Sequence, residues 1–147
     1  MKIKDIKMLK LFGSVKDVDS LLKAELEGFN ISYKTIDTAM PGATILHEAA
    51  KCCYLELLEY LIYNRKMDVN DLDDDTCTPL GYVVNDETLY NLKELNEIGT
   101  VNEGNQNKDD ILKCLDFLLK IEAKAVYCGR EYSKDWVLNY KKQLIAT

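Results

Sequence analysis

A tetrapeptide that returns constrains this chain more than any other feature. Thr44-Ile45-Leu46-His47 comes back as Thr78-Pro79-Leu80-Gly81, 34 positions later, and Ala49-Ala50 is echoed by Val83-Val84. Self-similarity at a spacing of this size marks stacked supersecondary units, each too small to bury its own apolar face.

The physics of one unit follows from its residues. Thr44 opens a helix in which Leu46, Ala49 and Ala50 form an apolar strip, while Glu48 and Lys51 face elsewhere. Small alanines let that helix lie close to its neighbours. Cys53-Tyr54 falls where the chain should turn, and Leu55, Leu57, Leu58, Leu61 and Ile62 mark a second, more apolar helix. Asn64 to Asp75 is rich in Asp and Asn, a turn-forming loop that leads to the next Thr. A lone helix pair leaves its apolar face open and needs a copy on each side.

These residues resemble the ankyrin family, whose signature includes a T-P-L-H-x-A core repeated every ~33 residues. The matching positions are Thr44, Leu46, His47 and Ala49, then Thr78, Pro79 and Leu80. The resemblance implies an all-α solenoid of about three to four stacked helix-turn-helix repeats, with hairpin loops and degenerate caps. It is specific over Gly42 to Leu80 and weaker elsewhere. One domain, 1–147, is read as a degenerate first repeat (1–38), a repeat (39–73), a further repeat (74–127) and a C-terminal cap helix (128–147). Within the first, Gly13 is expected at the interhelix turn, with Val15, Val18, Leu21 and Leu22 lining the second helix. Ser133 is expected to cap a last helix in which Trp136, Tyr140 and Leu144 share a face.

Several residues depart from the family pattern. Gly81 stands where the family has His. Cys53 and Thr76 stand where it has Gly, each at a cost of ~1 kcal/mol or more if the backbone there is left-handed. The larger departure is an insertion at about 85–107. Its first part, Glu87 to Ile98 after a candidate cap at Asp86, has helical spacing, and Gly99 to Asn107 is loop-like. An alternative register keeps the 34-residue period. It makes Thr88 to Leu95 the second helix of the third repeat and places Asp110 to Leu119 in a fourth. The insertion is preferred because DILKCLDFLL fits a second helix better.

Charge and cysteine usage narrow the function classes. The net charge is −6, the wrong sign for a surface that holds phosphates, so nucleic acid is not the expected partner. Five cysteines without framework spacing suit reduced thiols and a cytoplasmic location, in the producing cell or a host cytosol. No membrane span is expected. Asp71-x-Asp73-x-Asp75 begins like a calcium loop, but Thr76 and Tyr82 replace the Gly and Glu that would bend and close it. His47 is the only histidine; a pairing with Cys52 or Cys53 would be needed for nucleophilic chemistry. The motif assigns His47 a structural role instead, so no enzyme activity, metal or cofactor is expected.

The resemblance implies a non-catalytic module that binds and masks a partner protein through hairpin tips and a concave helix face, in the manner of an effector, inhibitor or immunity protein. Carried over by position, the partner-binding residues are Thr38, Met40, Lys51 and Cys52 in the middle repeat. Leu72, Asp74, Asp75, Cys77, Asn85 and Asp86 follow in the next, and Tyr33 and Tyr82 add aromatic anchors. The aspartates suit a partner with a basic surface, and the free chain is expected to be monomeric. The alternatives are an oligomerising fragment of a longer array and a Cys/His-dependent enzyme.

Overall fold

The two motif-bearing units each begin with a threonine that satisfies free amides of a helix start. In the computed structural model, which describes residues 2–98 and 108–146, the Thr44 hydroxyl oxygen accepts from the Leu46 amide at 3.2 Å. The Thr44 amide donates to His47 Nδ1 at 3.2 Å. The helix so capped, α3 (Ile45–Lys51), ends just before Cys53, whose φ of 56° reverses the chain into α4 (Leu55–Tyr63). Thr78 plays the same part for α5 (Pro79–Val83): its hydroxyl accepts from the Gly81 amide at 3.1 Å, and Pro79 supplies a first helical residue with no amide to satisfy.

The remaining helices are α1 (Ile3–Ser14), α2 (Val18–Leu26), α6 (Asp86–Ile98), α7 (Lys108–Lys120) and α8 (Lys134–Ala146). A two-stranded antiparallel hairpin, β1 (Ala125–Tyr127) and β2 (Arg130–Tyr132), precedes α8. The first helices α3 and α5 lie side by side. α2, α4 and α7 follow one another behind them, and α7 also meets α5. β1 lies against α5, and α8 packs on α7. This is an all-α repeat fold with very little strand.

One core runs through the stack. Leu21 and Ala24 of α2 are joined to Leu57, Leu58 and Leu61 of α4, and to Cys114, Leu115 and Leu118 of α7. Leu46, Ala49, Ala50, Leu80 and Val84 close it from the first-helix side, and Val137, Tyr140 and Leu144 extend it into α8. Each fully buried leucine contributes about 1.5–3 kcal/mol of transfer free energy. Arg65 and Glu25 form a two-pronged ion pair that ties the end of α4 to α2, with one arm at 2.9 Å.

The first helix pair differs from expectation. Gly13 lies inside α1, the turn falls at Val15 to Asp17, and Leu22 is exposed. Asp17 and Ser20 cap α2 reciprocally, so the chain turns without glycine. At α6 the cap is Asn85, not Asp86: Asn85 and Thr88 each accept the other's amide at 2.9 Å. Gly99 to Asn107 lies outside the described residues. Ser133 does cap α8, accepting from the Trp136 amide at 3.1 Å, and Trp136 stacks on Tyr140. Cys53 and Thr76 both adopt the left-handed conformation that their replacement of glycine made costly, with φ of 56° and 59°.

Candidate functional site: a row of joined loop tips

Three loop tips stand side by side along one edge. The first is closed by paired bonds, Thr35 amide to Ala43 carbonyl and Gly42 amide to Thr35 carbonyl, each 2.8 Å. In the second, the Asp73 carboxylate accepts from the amides of Asp75 at 3.0 Å and Cys77 at 2.9 Å. Its other oxygen accepts from the Tyr82 hydroxyl. The third is the Cys128-Gly129 turn between β1 and β2.

Neighbouring tips are bonded to one another. The Asp74 amide donates to the Pro41 carbonyl at 3.0 Å, and the Gly129 amide donates to the Thr76 carbonyl at 3.1 Å. Gly42, at φ 76°, makes the first approach possible, because a side chain there would begin 2.9 Å from the Asp74 amide nitrogen.

Below the edge, His47 acts as a clamp. Its Nδ1 accepts from Thr44, so the ring carries its proton on Nε2, which donates to the carbonyls of Asp71 at 2.9 Å and Cys77 at 3.0 Å. One buried imidazole thus joins its own helix start to the following loop. The next repeat does this without histidine. Thr78 donates its hydroxyl to the Lys124 carbonyl at 2.7 Å, accepts from the Val126 amide at 2.9 Å, and bonds the Val126 carbonyl through its own amide at 2.9 Å.

The motif residues Thr44, Leu46, His47, Ala49, Thr78, Pro79 and Leu80 are all buried. Of the partner-facing candidates, Thr38, Lys51, Leu72, Asp74, Asp75 and Asp86 are exposed, and Tyr33, Cys52 and Tyr82 are half-buried. Three are turned inward. Met40 is buried against the closed first tip, Cys77 is covered by the β1–β2 turn, and Asn85 both caps α6 and donates to the Gly81 carbonyl at 2.8 Å. Asp86 instead pairs with Arg130 and with the Tyr132 hydroxyl, which anchors the start of α6 to β2. Tyr33 sits edge-on to Phe12 and Phe29.

Position carry-over missed the third tip, where Tyr127 meets Tyr82 edge-on with ring centres 5.7 Å apart. The available signal was Gly129 between two short runs with β-forming residues, a hairpin pattern read instead as the edge of a helix. Burial raises the Tyr127 hydroxyl above the ordinary phenol range, with Glu87 adding to the effect. Burial also pushes Cys52 up to about 11, and its thiol donates to Glu48 at 3.3 Å rather than to His47. Among the described residues, no group of three or more His, Cys, Asp or Glu could hold a metal ion, and no helix is long and apolar enough to cross a membrane.

Residues 44–85 match the family model described as ankyrin repeats (many copies). No curated protein and no solved structure matches the chain.

Proposed function

We propose, from the ankyrin-repeat match over residues 44–85 and the repeat fold around it, that this chain is a protein-interaction module that binds and masks a partner protein with its loop-tip edge. The observation that carries this reading is the pair of inter-tip bonds, Asp74 to Pro41 and Gly129 to Thr76, which hold three tips in one continuous edge. Thr38, Leu72, Asp74 and Asp75 project from that edge, and Lys51 and Cys52 lie at the end of α3 beneath it. Its aspartates favour a basic partner surface, since complementary charge speeds association and discourages wrong partners. Masking is stoichiometric: the module occupies a surface and alters no bond.

Affinity capture with the tagged chain, followed by calorimetry on the captured protein, tests this. Thr38→Arg combined with Leu72→Arg crowds the edge with side chains that point to solvent and leaves the core intact. Binding should fall at least tenfold, about 1.4 kcal/mol; unchanged affinity at an intact fold would overturn the reading.

A second reading, end-to-end stacking with further copies, is favoured by the exposure of Ile3, Leu22 and Leu26 on α1 and α2. Light scattering distinguishes the two, because stacking raises the mass with concentration and a masking module stays monomeric.

A further inference from the structure

Four cysteines far apart in sequence meet in two pairs. Cys53 and Cys114 are neighbours at the core, close enough for each thiol to shift the other. Cys77 and Cys128 meet on the loop-tip edge, where the Cys128 amide donates to Cys77 Sγ at 3.0 Å. The bond from Gly129 to Thr76 lies immediately beside it and fixes the two backbones. With an N–Cα bond of ~1.46 Å, the Cys77 sulfur lies within about 4.5 Å of the Cys128 Cα, so the Cys128 side chain starts within reach of it. Cys128 is exposed and Cys77 is buried.

We propose that Cys77 and Cys128 form a redox-modification site, which a peroxide converts into a disulfide that staples the second loop tip to the third. The exposed Cys128 thiolate attacks the peroxide: an S–O bond forms, the O–O bond breaks, and water or an alcohol leaves. The Cys77 thiolate then attacks that sulfur, forming the S–S bond and breaking the S–O bond, with the released oxygen leaving as water. Two thiols lose two electrons and two protons in all, and the peroxide is reduced. Burial holds the Cys77 thiol up to about 11, so it serves as the resolving partner rather than the first nucleophile. The pairing does not depend on what the edge binds. If the edge binds protein, oxidation fixes two of its three tips covalently.

The test uses the full chain treated with hydrogen peroxide and digested without reductant. A cross-linked peptide joining Cys77 to Cys128 is expected, with a loss of two hydrogens that dithiothreitol restores. The oxidised protein should melt several degrees higher, because the cross-link restricts the unfolded chain. Cys128→Ser should abolish the cross-link and the rise in melting temperature. That exposed variant carries the test even if Cys77→Ser does not fold, and Cys114→Ser should leave the cross-link in place. Accumulation of sulfinic acid at Cys128 without cross-linking, or a cross-link confined to Cys53 and Cys114, would overturn the proposal.

Discussion

The carbonyl of Val126 occupies the space in which a side chain on Gly81 would start, its carbon 2.6 Å from where the Cβ would stand. The obstacle is backbone that Thr78 holds in place by three hydrogen bonds, so it cannot swing aside as a flexible side chain could. Gly81→Ala should therefore part the β1–β2 hairpin from α5 at a cost of about 3 kcal/mol. Urea unfolding would read this as a lower midpoint with a similar slope, whereas a change below ~0.5 kcal/mol would mean that the hairpin is held elsewhere.

His47→Ala leaves two inward-facing carbonyls, those of Asp71 and Cys77, without their shared donor, and removes half of the α3 cap. A loss of about 2–4 kcal/mol is expected. Hydrogen exchange should accelerate first across residues 71–78, and uniform acceleration over the whole chain would contradict a local clamp.

Alkaline pH should weaken the fold. Burial, reinforced by the Asp73 carboxylate, raises the Tyr82 hydroxyl above the ordinary phenol range, and burial raises the Cys77 thiol to about 11. The folded chain therefore keeps protons that the unfolded chain releases near pH ~10 and ~8.5. The stabilisation is complete below those values and is lost as pH climbs past them. Tyr82→Phe should flatten the decline above pH ~10. It should also cost about 1–2 kcal/mol at neutral pH, because Asp73 loses its phenol partner. Urea midpoints from pH 7 to 11 on both proteins check this; equal alkaline slopes would dismiss Tyr82 as the titrating group.

Asp74→Lys with Asp75→Lys reverses charge on two exposed residues of the second tip. Affinity for a basic partner should drop about tenfold, mostly through slower association. The wild-type affinity should itself weaken with added salt. Salt-independent binding would remove the electrostatic part of the reading.

The sequence made the repeat legible where side chains perform local tasks. Thr44 and Thr78 cap helices, Pro79 starts one, and the leucines of α4 face inward, all within a few residues of themselves. Outward-facing positions were harder to read, because exposure depends on what the next unit places overhead. Cys77 sits in a loop that looks solvent-bound until the neighbouring tip closes over it, and Met40 is buried against its own tip. Asn85 looks like a surface amide until α6 is seen to start at its side chain. Gly81 posed the same difficulty: its departure from histidine signals no lost tie once the Val126 backbone is seen filling the gap.

The amide–carbonyl bonds between successive tips have a further consequence. Loops that hold one another at fixed separation behave as the teeth of a comb, and a ligand meets their spacing already set. Little freedom remains to be lost on contact, so the edge should choose among partners by the pitch of their surface features as much as by chemistry.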